Sequence, residues 1–385
     1  MHIGLAGPFQ FASFRDELPT DTALPAGLGG LPVVQLAREY LQRGHQVTVF
    51  TLDMETTEPR WIEGDRLRVF VGPYRSEGRA RDLFAVERRS IEQAIWASDV
   101  PFVHAHWTYE FALGALASGR PTLVTAHDAP MRILSLNPSP YRALRTVMAA
   151  QTLVKAKHLT AVSPYVIRHL KLMGYLKHVD LVPNGMAIED AIPARAPAPA
   201  DRLAFASILN GGWQGLKNGK RLLRAFAIVR RALPQATLFL YGAGLGAGED
   251  AQTWAGAQGL TTGVIWRGYR PHAQIIEDLQ HRTDVLVHPA LEESFGLTIL
   301  EAMALGLPVV AGRRSGAVPW VTDFGRGALL VDVTSVDALA LGMLRLGTEP
   351  DLSVPLAQHG HAYAREHFTL TRVADQYESL YQRLR

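Results

Sequence analysis

Apolar residues gather in short runs of three to six along the chain. A first series lies at Ile3–Ala6, Val47–Thr51, Leu67–Val71, Pro101–Ala105, Thr122–Thr125, Leu159–Val162 and Asp180–Val182. Between the runs, apolar positions repeat at three- and four-residue intervals, the spacing of a helix with one buried face. This alternation predicts βα units on a parallel sheet. A second series follows at Leu203–Ile208, Thr237–Tyr241, Val264–Arg267, Val285–His288, Pro308–Ala311 and Ala328–Val331. Between the series, the prolines of Ala191-Ile-Pro-Ala-Arg-Ala-Pro-Ala-Pro-Ala200 exclude regular helix and interior strand. The pattern therefore predicts two open α/β domains, residues 1–190 and 203–365, joined by a linker at 191–202. Sheets of this kind bind ligands at the carboxyl ends of their strands. The last stretch, Tyr363–Arg385, reads as one helix with Val373, Tyr377, Leu380 and Leu384 on a single face.

Candidate chemistry concentrates after the run Val285–His288. Glu293-Ser-Phe-Gly-Leu-Thr-Ile-Leu-Glu301 sets two carboxylates across a strand-to-helix junction. Leu297, Leu300, Ala304 and Leu307 are expected to face the core, which leaves Glu301 on the shoulder of the helix, ~100° from Leu300. The N–H groups from Phe295 to Thr298 lack intrahelical partners, and such a helix start binds phosphate. Two carboxylates beside an anion site suit a ligand with both hydroxyls and phosphates, such as a nucleotide sugar. Lys217 stands just before a predicted helix, where a cation calls for an offsetting anion; Lys220 and Arg221 are alternatives to it. His106 ends an apolar run, with His104 expected on the opposite side and His127-Asp128 after the next run. Pro8–Leu28 is far longer than an ordinary βα connection. Its Phe9, Phe11 and Phe14 suggest that it shapes an acceptor site. Tyr241-Gly-Ala-Gly-Leu-Gly-Ala-Gly248 raises a dinucleotide reading, but it follows a second strand rather than opening a fold.

Composition narrows the field. At 385 residues, with 48% hydrophobic and 19% charged, the chain suits two soluble domains. It has no cysteine, so disulfides and cysteine metal sites are excluded. No Asp-x-Asp motif has strand context, and no catalytic metal is expected. No run reaches the length needed to span a bilayer, and the start lacks a signal-peptide pattern. A cytoplasmic protein, peripheral at most to the inner membrane face, is expected. The formal excess of +3 lies wholly in the first 185 residues, which hold 20 basic and 17 acidic side chains. Arg75, Arg79, Arg81, Arg88 and Arg89 cluster there, as do Arg142, Arg145, Lys155 and Lys157. These clusters suit either a solvated face or contact with anionic lipid or acceptor. No nucleic-acid-binding module accompanies them.

The Glu293–Glu301 segment resembles the glutamate-x7-glutamate motif of retaining glycosyltransferases with the GT-B fold, in the large family numbered four. Gly29-Gly30, Gly44-His-Gln-Val-Thr-Val-Phe50, Val103-His-Ala-His106, Thr125-Ala-His-Asp128, Ala161-Val-Ser163, Pro183-Asn-Gly185 and Lys217 recur in that family's order. The resemblance implies two Rossmann-like domains facing each other across a cleft. The final helix, about 366–385, would return to the N-terminal domain, which carries the acceptor side. It further implies transfer of a sugar from a nucleotide-diphosphate sugar, a UDP-sugar above others, to a hydroxyl, with no cofactor beyond that donor and no metal. Glu301 would hold the ribose hydroxyls and Glu293 those of the sugar. Amides at Phe295, Gly296 and Leu297, with Gly30 and Lys217, would cradle the diphosphate, and His106 would lie near the transferred sugar. The acceptor would be a lipid-linked saccharide in glycolipid or surface polysaccharide assembly, or a soluble small molecule. Rival readings are an NAD-dependent oxidoreductase and a non-catalytic sugar-nucleotide binder. Two departures stand out: Gly211 and Gly212 replace the family's arginine, with Arg267 and Arg270 as substitutes, and Trp320 follows Pro319 where a glutamate is common.

Overall fold

The computed structural model describes residues 1–19, 23–190 and 203–384. The stretch expected as a linker, 191–202, lies outside them. The chain divides into two compact units, Met1–Ala187 with Leu370–Arg385, and Ile188–Thr369.

In the first unit the apolar runs become strands β1 (His2–Ala6), β2 (Gln46–Asp53), β3 (Arg60–Glu63), β4 (Leu67–Pro73), β5 (Val103–His106), β6 (Thr122–Ala126), β7 (His158–Ala161) and β8 (Asp180–Leu181). Their order across the sheet is β3-β4-β2-β1-β5-β6-β7-β8. Every pairing is parallel except β3 with β4. The short edge strand β3 was not anticipated, since Trp61 and Ile62 make too brief an apolar run to register. The second unit holds β9 (Ala204–Ile208), β10 (Thr237–Tyr241), β11 (Val264–Gly268), β12 (Val285–His288), β13 (Val309–Gly312) and β14 (Leu329–Val331), in the order β11-β10-β9-β12-β13-β14. Counted from its own first strand, that order is 3-2-1-4-5-6, the doubly wound arrangement. In each unit the winding reverses beside the first strand, between β1 and β5 and between β9 and β12. Loops leaving the carboxyl ends of those strands diverge and open a crevice.

Three expectations are corrected. Phe9, Phe11 and Phe14 are fully buried in the core of the first unit, beside Val33, Leu36 and Tyr40. Phe9 and Phe14 stack at 4.9 Å, and Phe11 meets Phe9 edge-on at 5.4 Å. Their aromatic density serves packing rather than an acceptor surface, because a loop this long must carry its own apolar anchors to stay ordered. The terminal stretch is two helices, Pro350–His367 and Leu370–Gln382. Phe368 interrupts them, buried against Phe295 and Trp320 at ring distances of 5.5 Å each. Periodicity continues through the break because both helices bury one face, each in a different core. The helix after β12 turns Ile299, Leu300, Ala302 and Met303 inward, while Leu297 and Ala304 are only half-buried.

The helix Leu370–Gln382 belongs to the core of the first unit. Val373, Tyr377, Leu380 and Leu384 are buried there as the spacing predicts. Tyr381 shares a hydrogen bond of 3.0 Å with Tyr40, and Arg43 pairs with Asp375 and Glu378 on the helix's outer edge.

Candidate functional site

The second unit brings Lys217 and Glu293 together although 76 positions separate them. Lys217 stands on the loop after β9 and Glu293 on the loop after β12, so adjacent strands at the winding reversal deliver both. The Lys217 ammonium donates to Glu293 Oε1 at 2.5 Å. His288, buried at the end of β12, shares a hydrogen bond of 3.1 Å between its Nε2 and the same oxygen. An ionised carboxylate only accepts, so Nε2 carries the proton. On the ring's other side, Nδ1 meets the Thr298 hydroxyl at 3.0 Å. Burial by itself raises the Glu293 pKa, but Lys217 and His288 outweigh it and hold the carboxyl at about 2. It is a fixed anion at neutral pH.

The backbone around this pair is held as firmly as the side chains. Asn218, buried with φ 60°, donates from Nδ2 to Pro289 O at 3.0 Å and to Val333 O at 2.8 Å. The Leu291 amide donates to Leu216 O at 2.8 Å, which ties the two loops directly. The Ala317 amide donates to Glu293 O at 2.8 Å. Gly316 permits that approach: at φ +61°, a Cβ there would stand 2.1 Å from the Glu293 carbonyl oxygen. Asn218, His288 and Gly316 escaped the sequence reading. The only signals for them were a polar residue after Lys217, a histidine closing an apolar run, and a glycine before Pro319.

Gly296, left-handed at φ 100°, caps the eight-residue helix Leu297–Ala304. The amides of Leu297 and Thr298 begin that helix, where the first turn leaves donors without intrahelical partners. Phe295 is buried against Trp320 and Phe368 and pins the helix start. Glu301 is also buried, and its Oε1 lies 2.8 Å from His272 Nε2. That hydrogen bond raises the His272 pKa against the opposing effect of burial. Glu301 thus lies deeper than a shoulder position implies.

The alternative cations are engaged elsewhere. Lys220 lies over the Trp213 and Trp254 rings, and Arg221 donates to Asn218 Oδ1 at 2.9 Å. Arg267 on the edge strand β11 faces Asp278 at 3.7 Å, and Arg270 is exposed. At Gly211 and Gly212, both with positive φ, a Cβ would meet nothing within 4 Å, so the arginine's place is open space. In the glycine-rich loop after β10, the amides of Gly246 and Gly248 donate to the side chains of Glu249 and Gln252, each at 2.6 Å. Those donors serve the loop itself. Among the described residues no group of three His, Asp or Glu side chains converges as a metal ion requires.

In the first unit, His106 ends β5 beside β1. His104 shares its face, with ring centroids 4.1 Å apart, and is not on the opposite side. Strand side chains alternate with period two, so residues two apart point the same way. His106 Nδ1 and His127 Nε2 are 2.9 Å apart. Burial depresses all three histidines, His127 to about 3, and neighbouring imidazoles depress His104 and His106 further. They are neutral at pH 7, and His106 acts there as an uncharged ring. Its Nε2 has no partner, and the residue lines a cavity of about 10 Å³ with Pro183, Asn184 and Tyr377, room for about one water. Gly30 caps the helix Leu31–Gln42 at φ 84°, where a Cβ would stand 2.0 Å from Pro8 O. Sterics alone therefore demand glycine.

A larger pocket of about 240 Å³ lies beyond β5 and β6, lined by Trp107, Tyr109, Asp128, Tyr141, Arg142 and Arg145 among others. Trp107 holds a left-handed backbone at φ 63° and stacks on His127 at 4.3 Å. A bulky residue there is strained, and such strain clusters at ligand sites. The Tyr109 hydroxyl donates to Asp128 Oδ2 at 2.8 Å, while Oδ1 has no partner. Burial pushes the Asp128 carboxyl up to about 6, against the pull of Tyr109 and Arg145.

Comparison with known proteins places the whole chain. The Glycosyltransferase Family 4 profile matches residues 32–190, and that of Glycosyl transferases group 1 matches residues 210–366. A D-inositol 3-phosphate glycosyltransferase of Kineococcus radiotolerans is 30% identical over 338 residues, which cover 79% of this chain and 77% of that one. Sucrose-phosphate synthase of Thermosynechococcus elongatus superimposes with a TM-score of 0.78 at 20% identity, over 100% of this chain and 99% of the other. Anabaena Alr3699/HepE, solved in complex with UDP and glucose, does so with a TM-score of 0.71 at 18% identity, over 99% of each chain. The Lys217–Glu293 pair and Glu301 thus sit within a chain that belongs to the group 1 glycosyltransferases and has their GT-B fold of two Rossmann-like domains.

Proposed function

We propose that this glycosyltransferase moves a sugar from a UDP-sugar to a hydroxyl of a small polar acceptor, with retention of anomeric configuration and without a metal. The observation that carries the donor reading is the ionised Glu293 held between Lys217 and His288 at the head of the helix that bears Glu301. A donor diphosphate placed at the Leu297–Thr298 amides meets the positive end of that helix and competes with Glu293 for Lys217. Glu293, released in part, then accepts hydrogen bonds from hydroxyls of the sugar. Glu301 exchanges its His272 contact for the ribose diol. As the glycosidic bond breaks, charge collects on the departing diphosphate. Lys217 and the amides, already oriented, stabilise it where it develops. UDP is favoured among the nucleotides because a structure of like fold, Anabaena HepE, was solved with UDP and glucose.

On the acceptor side, the relative's name favours a soluble small molecule over a lipid-linked saccharide. The pocket beside Asp128 offers a ring-sized volume, aromatic walls at Trp107 and Tyr141, and an unpartnered carboxyl oxygen able to accept from a hydroxyl. Arg142 and Arg145 line the same pocket. Titration calorimetry with UDP-, GDP- and ADP-glucose tests the donor reading. The expected result is binding of the UDP-sugar alone, weakened at least about tenfold in Glu301→Ala, as loss of a buried charged hydrogen bond implies. Unchanged affinity in that variant removes Glu301 from the ribose site. Analysis of the product's anomeric configuration then tests retention.

A further inference from the structure

Fifty-one consecutive residues, 129–179, carry eight lysines and arginines and not one aspartate or glutamate. The rest of the chain carries 31 basic and 36 acidic side chains, so this stretch alone turns a net acidic chain basic. The arginine cluster nearer the start does not rival it, because Arg75 is tied to Asp82 and Glu87.

The same stretch presents apolar side chains to solvent. In the helix Pro140–Lys155, Met148, Ala149, Thr152 and Leu153 form the buried face. Val147 and Val154, seven residues apart and so nearly on one line of the helix, point outward at 50% and 81% exposure. Leu172, at the end of the helix Pro164–Leu172, is 65% exposed, and Leu176, on the turn after it, is 87% exposed. The Lys177 ammonium lies 3.5 Å from Ala156 O, which sets that turn beside the end of the longer helix. Val154 and Leu176 therefore flank one small surface. Lys155, Lys157 and Lys171 around it are all exposed.

Isolated exposed apolar residues need no explanation, but aliphatic tips grouped among lysines, on a stretch that itself holds no acid, do. An acidic protein partner would explain the charge, yet it would leave the valine and leucine tips without a buried counterpart unless it were also apolar there. A bilayer with anionic headgroups meets both requirements. Its headgroup layer pairs with the lysines, and the short side chains dip beneath it. None of the helices in the described residues is long and apolar enough to cross a membrane, so the contact is a surface one.

We infer that the surface formed by Val154, Leu172, Leu176 and the lysines about them docks the first unit on an anionic lipid surface. It lies apart from the pocket beside Asp128, and docking does not require that the acceptor be a lipid.

The test is co-sedimentation of the full chain with vesicles of phosphatidylcholine alone and with one-third phosphatidylglycerol. Binding to the anionic vesicles only is expected, falling about tenfold or more between 0.05 M and 0.5 M salt as the headgroup field is screened. Val154→Asp with Leu176→Asp, both at exposed positions, should abolish binding and leave the melting temperature and UDP-glucose affinity unchanged. Lys155→Gln with Lys157→Gln should weaken it and flatten the salt dependence. Failure to sediment with anionic vesicles at low salt overturns the proposal, as does sedimentation that the aspartate variant retains. A native oligomer that the aspartate variant splits, without vesicle binding, assigns the surface to protein contact instead and also overturns it.

Discussion

At the scale of single residues, the site rests on two carboxylates, a half-buried Glu293 and a buried Glu301, held in different ways. Glu293 accepts from an ammonium and an imidazole and is ionised far below neutrality. Its pKa is lower folded than unfolded, so its ionisation stabilises the fold above the unfolded value, ~4.5, and that stability is lost as pH falls through about 2. Lys217→Ala removes the main force opposing burial. Its acid unfolding midpoint should therefore lie at higher pH than that of the native chain, by about one unit or more. Turnover should fall ~10²–10³-fold if Lys217 also stabilises the leaving diphosphate. Circular dichroism against pH, with steady-state rates, checks both; an unshifted acid midpoint removes the ion pair from the stability of this unit. Glycines repay the same attention. Gly316→Ala combines a left-handed backbone with a 2.1 Å clash against Glu293 O, whereas Gly211→Ala is left-handed in open space. The first should cost ~2–3 kcal/mol and disturb donor binding, and the second ~1 kcal/mol with donor binding unaffected. Denaturant melts and calorimetry distinguish the two, and equal costs would show that the Glu293 carbonyl moves aside freely.

At the scale of elements, the long loop after β1 is the clearest lesson. Aromatic residues in a connection read from sequence as ligand contacts, yet Phe9, Phe11 and Phe14 form a stacked wedge inside the first unit. Phe14→Ala should therefore cost ~3–5 kcal/mol of that unit's stability. Donor affinity in the still-folded protein should be unchanged, because Lys217, Glu293 and Glu301, proposed to hold the donor, lie in the other unit. A mild effect on unfolding with a large effect on acceptor affinity would restore the acceptor reading. The helix Leu297–Ala304 shows the converse. Its eight residues carry little intrinsic stability, and its precision comes from Gly296 at its start, Phe295 in an aromatic cluster and Thr298 on His288.

At the scale of the whole molecule, two doubly wound sheets each reverse their winding beside their first strand, and the residues of interest gather at those reversals. A donor that binds only the folded second unit must stabilise it by mass action. UDP-glucose at a hundred times its Kd should add ~2.7 kcal/mol, and the Glu301→Ala variant should show a much smaller gain at the same concentration. Differential scanning calorimetry reads both. No gain in the native chain at any concentration removes UDP-glucose as donor. Charge is also uneven at this scale: a formal +3 overall conceals the acid-free stretch 129–179.

The sequence alone determined what depends on local spacing. Strand and helix alternation, two α/β domains, the candidate carboxylates Glu293 and Glu301, and the buried face of the last helix were all legible in it. A side chain's period along a strand or helix is set by backbone geometry before any tertiary contact forms. What joins distant positions was not legible. Nothing in the spacing says that Lys217 reaches Glu293, that Asn218 bridges Pro289 and Val333, or that Gly316 sits under the Glu293 carbonyl. Those contacts exist because β9, β12, β13 and β14 lie side by side across the sheet and their loops leave it at the same end. The neighbour of a strand is chosen by the free energy of the whole packed sheet, so only the tertiary structure decided them.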